Sequence, residues 1–549
     1  MKKCIFGLFL AILAMIFIAC GVRENPSEAD DDMDFDDSVV MYNYDEKKAH
    51  FSRQANVSSI APISAIPSDF NTNSFDKINE NIFKETATAP LSTFSADVDT
   101  ASYALLKRFI DDGTLPPSGA VRIEELINAF DYSYEAPKDA PIAIYTALSM
   151  PFWDKSHQIL RIGIKAKEID WANRPASNLT FLIDTSGSMS GESRIELVKK
   201  SLKMLVDKLD KRDKIGIVTY SGEAGVALEP TNNKQKILKA IDSLNANGFT
   251  HGSAGIEKAY DLAQKHFIKG GVNRIILATD GDFNVGISSQ DELLKLIASK
   301  AKSGVYLSVF GFGMGNYKDS MLVKLADNGN GNYGYINDEL EARRLLVDRV
   351  AATLIAVAKD VKIQVEFNPS KVKSYRLIGY EKRKLENEDF NDDSKDAGEM
   401  GVGHSVTALY EIIPLKNEAQ KNLPKDAKGI IDPLKYSTNI ANKGFDDEIA
   451  SVKIRYKTPK NRESNDEKSE LIEQVVKTTD FSKNADNDTR FAMAVAGFGM
   501  ILQDSPLKGS ADFKSVLAIL NDKAFVDDIN KQEFIGIVAK VSKIQLNKN

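Results

Sequence analysis

Three short segments of the 549-residue sequence carry the residue types that hold a hard divalent cation. In the first, Asp184, Ser186 and Ser188 set a carboxylate and two hydroxyls at alternate positions, Asp-x-Ser-x-Ser. The second, Gly248, Phe249, Thr250, His251 and Gly252, offers another hydroxyl, and the third, Thr279, Asp280, Gly281 and Asp282, a second carboxylate. Mg²⁺ takes oxygen ligands in a near-octahedral shell and keeps several waters, so carboxylates mixed with neutral hydroxyls suit it. Two carboxylates at most neutralise the ion, which stays electrophilic and accepts one more carboxylate from outside. That chemistry is binding. No nucleophile and base pair at catalytic spacing, the five histidines included, so no enzymatic activity is expected. Asp-x-Ser-x-Ser alone is common in turns, where Asp and Ser cap helices. The weight comes from the three segments together.

Such loops need a rigid edge to stand on. Between Asn178 and about Lys359, apolar strands (Leu179 to Ile183, Ile215 to Tyr220, Arg274 to Ala278, Val305 to Gly311) alternate with amphipathic helices, including Arg194 to Asp210 and Lys234 to Asn245. The alternation predicts a doubly wound, Rossmann-like α/β domain, its mostly parallel sheet covered on both faces. Each of the three segments lies at a strand end or helix start on one predicted edge. Ligands collect at the carboxyl edge of open α/β sheets.

The flanks read differently. Helical spacing marks Thr100 to Asp111 and Arg122 to Phe130, followed by alternating strands at Ala143 to Met150 and Ile159 to Lys165. Strand character returns after Lys359, in Val361 to Phe367, Ser374 to Tyr380, Ser405 to Ile413 and Ala450 to Lys457. We therefore expect the two flanks to pair into one β-sandwich with the α/β domain inserted. A polar loop, Pro459 to Glu470, leads to a helical tail in which Phe491, Ala494, Val495, Phe498 and Ile501 form a packing stripe.

At the N-terminus, Lys2 and Lys3 precede an apolar run from Ile5 to Ala19, too short to span a bilayer comfortably and shaped like a secretory signal. The run ends in Phe17, Ile18, Ala19 and Cys20, which resembles a lipobox, with Phe17 in place of the usual leucine. Lipidation at Cys20 is the implied consequence. Cys4 would leave with the signal, so the mature chain would hold one thiol and no disulfide. Glu28 to Asp37 then places seven carboxylates in ten residues, a solvated acidic spacer. Hydrophobic residues at 43%, charged residues at 27% and a formal charge of −7 describe a globular body and argue against nucleic acid as a partner.

The central segment resembles the von Willebrand factor A family, whose metal-ion-dependent adhesion site joins Asp-x-Ser-x-Ser to a threonine from a second loop and an aspartate from a third. Carried over residue by residue, the resemblance implies Asp184, Ser186, Ser188, Thr250 and Asp280 as metal ligands. Ser253 lies within reach of the register of Thr250, and Asp282 could accept from the ligands. Mg²⁺ is the expected ion, with Mn²⁺ and Ca²⁺ the alternatives, and the expected partner is a protein that supplies an Asp or Glu carboxylate.

The resemblance extends beyond that segment: FSADVDTASYALL to EELINAFDY (Phe94 to Tyr132), the core with ATDGDFNVG and VFGFGMGNY, and DVKIQVEFNP together resemble the bacterial YfbK-like lipoproteins. The resemblance implies an N-terminal companion, a von Willebrand A domain and a C-terminal domain on a lipid-anchored protein of the cell envelope, at an outer membrane where the cell has one. The expected division is a signal peptide (1–19), an acidic tether (20–85), the companion (86–177), the α/β domain (178–359), a β-rich domain (360–482) and a helical region (483–549). Two other functions stand beside metal-dependent binding. One is an envelope scaffold that works through the β-rich flanks, and the other a metal-dependent hydrolase, disfavoured because both aspartates are committed to the ion.

Overall fold

The computed structural model describes residues 73–546 apart from 222, 248–251, 282–289, 315–316, 350–353, 396, 416–433, 437–444 and 460–468. Cys20, Thr250, His251 and Asp282 lie outside the described residues. In chain order the N-terminal flank supplies β1 (Leu91–Ser95), α1 (Ala101–Asp111), α2 (Ile123–Asn128), β2 (Ile142–Ser149) and β3 (Gln158–Ala166). The central segment supplies β4 (Ser177–Asp184), α3 (Leu197–Lys208), β5 (Lys214–Ser221), β6 (Glu223–Thr231), α4 (Lys234–Asp242), α5 (Gly252–Lys265), β7 (Val272–Thr279), α6 (Gln290–Ala301), β8 (Tyr306–Phe312), α7 (Asp319–Asn328) and β9 (Tyr333–Ile336). The C-terminal flank adds β10 (Ala356–Phe367), β11 (Val372–Ile378), β12 (Ser405–Pro414), β13 (Glu448–Lys457), β14 (Ser469–Lys477), α8 (Asn487–Leu502), α9 (Phe513–Leu520) and α10 (Ile529–Leu546).

The central sheet has the order β9-β8-β7-β4-β5-β6, parallel except for β6, which pairs antiparallel with β5. All eight residues of β4 are buried. Its side chains alternate between two cores: Leu182 packs with Val218, Leu277 and Val309 on one face, while Phe181 and Ile183 pack with Ile217 and Ile276 on the other. Helices cover both faces, which is why the strands read as nearly unbroken apolar runs.

The flanks pair with each other across the inserted segment. In one sheet β3 runs antiparallel to β2 on one side and to β12 on the other, with Ile162 opposite Ala408. In a second sheet β10 lies between β1 and β13, with Ile363 opposite both Phe94 and Ile454. Phe94, Ile162, Val365, Phe367 and Tyr410 fill the space between the two sheets. The helices share a further core, in which Phe130 of the N-terminal flank meets Phe491 of α8 edge-on at 4.9 Å. Phe491, Ala494, Val495 and Phe498 are buried, and the rest of α8 between Phe491 and Met500 is buried as well, so the helix is surrounded rather than striped.

Two expectations need correction. Residues 73–85, read as the end of a tether, lie on the folded body: Asn81 is buried and its side-chain amide donates to the carbonyls of Leu377 (3.0 Å) and Gly379 (2.7 Å). Hydrogen bonds to strands almost 300 residues away leave no local period to read. Strand β14, following the loop read at Pro459 to Glu470, was not anticipated. It is an edge strand with exposed Glu470, Leu471, Glu473 and Gln474, so neither face carries the apolar alternation that marks a half-buried strand.

Candidate metal centre

Strand β4 carries Asp184 to the carboxyl edge of the sheet, between β5 and β7. The side chain is fully buried. Its Oδ1 accepts the Ser186 backbone N–H (3.0 Å), and its Oδ2 accepts the hydroxyls of Thr279 (2.9 Å) from β7 and Tyr220 (3.1 Å) from β5. Thr185 N–H donates to the Tyr220 carbonyl at 3.1 Å, and Asn247 N–H donates to the Thr185 carbonyl at 3.0 Å, which pins the turn to β5 and to the segment after α4. A single turn, Gly187–Met189, follows, anchored by buried Met189. It returns Ser188 to its predecessor: Ser186 Oγ and Ser188 Oγ are 3.0 Å apart. Ser186 is buried and Ser188 half-buried, so the site is accessible on the Ser188 side.

Asp280 follows β7 and is fully buried. The next residue, Gly281, has φ +88°, and a Cβ there would stand 2.8 Å from the Lys318 amide nitrogen, so glycine is required for the chain to turn away. Burial, with the charge of Asp280 beside it, raises the Asp184 carboxyl to about 6. A buried acid raised in this way beside a second buried acid marks a site short of positive charge. Arg194, from the turn before α3, contributes some of it.

The structure therefore brings Asp184, Ser186, Ser188 and Asp280 to one edge. Among the described residues no three His, Cys, Asp or Glu side chains gather at one point. The donor set here is instead two carboxylates and two hydroxyls, all oxygen, which fits a hard divalent cation and not a soft one. Ser253 sits in the first turn of α5. Thr279 and Tyr220 were not singled out by sequence reasoning, although both lie at strand carboxyl ends, the position that defined the other site residues.

Residues 178–349 match the family model for the von Willebrand factor type A domain, and residues 69–161 match a model described as von Willebrand factor. Residues 352–544 match the model for the C-terminal part of the uncharacterized protein YfbK. Uncharacterized protein YfbK of Escherichia coli (strain K12) is 42% identical over 454 residues, covering 80% of this chain and 76% of that protein. Among solved structures, a von Willebrand factor type A protein from Catenulispora acidiphila covers 72% of this chain and 89% of that one at 16% identity, with a TM-score of 0.39. The proximal thread matrix protein 1 of the mussel byssus, solved with a zinc-occupied MIDAS motif, covers 32% of this chain and 45% of that one at 23% identity, with a TM-score of 0.27. By its sequence identity and coverage, the chain belongs to the YfbK family and contains a von Willebrand factor type A domain.

Proposed function

We propose that this protein binds a protein partner through a divalent metal held by Asp184, Ser186, Ser188 and Asp280, with Thr250 as the ligand from the intervening loop. Von Willebrand factor type A domains often mediate protein interactions through such a site. The observation that carries the reading is the buried pair Asp184 and Asp280 beside the hydroxyls of Ser186 and half-buried Ser188. The metal supplies a Lewis-acidic position that an Asp or Glu of the partner completes. Asp184 is oriented for this by the three donors on its carboxylate, and hydroxyls in place of further acids keep the loaded site from turning net negative. Mg²⁺ is the ion best suited to an all-oxygen set with room for water.

The role is non-catalytic, since both acids that could act as a base are assigned to the ion. In the same reading the chain is exported, lipidated at Cys20 and anchored at the cell envelope, at the outer membrane where there is one. Among the described residues no helix is long and apolar enough to cross a membrane. Affinity capture from envelope extracts, with and without EDTA, tests the function. Partner binding is expected to disappear with EDTA and with Asp184→Ala while the circular dichroism spectrum is unchanged, and binding indifferent to both would refute it.

A further inference from the structure

A cavity of about 310 Å³ lies where the inserted domain meets the β-sandwich, walled by residues that include Arg274, Tyr333 and Arg349 from the insert side and Ser95, Arg383 and His404 from the sandwich side. Arg274 is the third residue of β7, with Tyr306 of β8 as its register partner, whereas Asp280 follows the other end of β7. The two stand six positions apart along the chain, about 20 Å at the usual rise. The cavity is thus distinct from the metal centre.

The guanidinium of Arg274 is the unusual feature. The residue is 4% exposed. Its Nη1 donates to Ser308 Oγ (2.6 Å) and Asn332 Oδ1 (3.3 Å), and the Tyr306 ring lies 5.8 Å from its Cζ. Among the described residues its Nε donates to nothing and Arg274 forms no ion pair. A buried cation without a paired anion is costly, and buried charges are as a rule paired. The neighbouring acids are engaged elsewhere: Arg383 takes Asp97 (2.8 Å), Asp99 (2.8 Å) and Asp327 (3.0 Å). Glu399 lines the same cavity and raises the Arg274 guanidinium through its field, against the larger lowering by burial. Arg349 adds a second cation to the wall, fixed by Asp131 at 3.1 Å and by the carbonyls of Asn128 and Ala129 at 3.3 Å.

We propose that this cavity binds a small oxyanion, the carboxylate or phosphate group of a small molecule, with Arg274 as its principal counter-charge, Arg349 as the second cation and His404 on the same wall. The volume sits at the lower end of the range for small-molecule pockets, so the ligand is small. Arginine is suited to this role because its planar fork matches both carboxylate and phosphate geometry.

The test uses the purified protein in metal-free, phosphate-free buffer. Sodium phosphate and sodium succinate are titrated separately by calorimetry and thermal denaturation, with sodium chloride at matched ionic strength as the control. Saturable binding of at least one anion is expected, with a rise in Tm that chloride does not give, and which of the two binds identifies the class. Arg274→Gln and Arg349→Gln should each weaken it by about tenfold, or about 1.4 kcal/mol. Lys200→Gln, an exposed site on α3, should leave it unchanged. Should Arg274→Gln fail to fold, Arg274→Lys and Arg349→Gln decide, the first expected to weaken binding less than the second. No binding beyond the chloride control, or binding retained in Arg349→Gln and whichever Arg274 variant folds, overturns the proposal.

Discussion

Arg194 Nε lies 3.9 Å from Asp280 Oδ2, so a cation of the chain itself stands beside a carboxylate assigned to the metal. The guanidinium is held there by Nη2, which donates to the Met314 carbonyl at 2.5 Å, and it fills the space where a Cβ on Gly313 would stand. Arg194 offsets the charge of Asp280 before a metal arrives and opposes the ion once it binds.

Removing that charge should favour the metal. At about 4 Å a unit charge is worth about 1 kcal/mol in water and more where water is partly excluded. Arg194→Gln is therefore expected to tighten Mg²⁺ binding by about three- to tenfold in a calorimetric titration. Unchanged or weaker binding would show that Arg194 serves packing alone.

Thr279 and Tyr220 position the carboxylate rather than the metal, each through one hydrogen bond to Asp184 Oδ2. Partners of this kind commonly cost about 10- to 100-fold in metal affinity when removed. Thr279→Val is expected to weaken Mg²⁺ binding by about tenfold and Tyr220→Phe by less, with the far-ultraviolet spectrum unaltered. Equal affinities in the variants and the parent would contradict the assignment of Asp184 as a ligand.

The insert is tied to the companion helices by an ion pair that excludes water. Arg122, entering α2, donates from Nη1 to Asp319 Oδ2 at 2.7 Å and also contacts Glu125, with Arg122 and Asp319 both buried. Removing one partner of a buried pair leaves an uncompensated charge and typically costs about 3–5 kcal/mol. Asp319→Ala should lower stability by about that amount in urea denaturation. A loss under about 1 kcal/mol would mean that Glu125 alone satisfies the arginine.

Stability should fall in mild acid through His404. Burial, with Arg349 and Lys165 nearby, brings its imidazole from 6.5 down to about 4. Above about pH 6.5 both the folded and the unfolded chain carry it neutral, so it makes no difference there. Between about 6.5 and 4 the unfolded chain takes up a proton that the folded chain refuses, and stability drops as pH falls, by about 2–3 kcal/mol in all. His404→Gln should flatten this part of the denaturation-versus-pH curve, and a curve of unchanged slope would assign the loss to other groups.

Because β3 pairs with β12 and β10 with β1, the part of the chain after the insert has no complete sheet of its own. Limited proteolysis is expected not to release residues 360–549 as an independently folded piece. A stable fragment of that size, with its own cooperative unfolding transition, would contradict the pairing.

The sequence by itself determined the α/β insert and the carboxyl-edge placement of Asp184, Ser186, Ser188 and Asp280, because both depend on local signals. Strands buried on both faces read as apolar runs, and a ligand loop must follow such a strand directly. Tertiary structure alone decided which hydroxyls hold Asp184, since Thr279 and Tyr220 reach it from strands 95 and 36 residues away. It also decided the placement of Asn81 on distant strands, the edge strand from Ser469 to Lys477, and the isolation of the Arg274 charge. The edge strand pairs with its neighbour in sequence and was hidden by its exposed faces, whereas the others depend on contacts across long sequence separations. Periodicity reports the environment of neighbouring residues, and it carries no record of a partner hundreds of positions away.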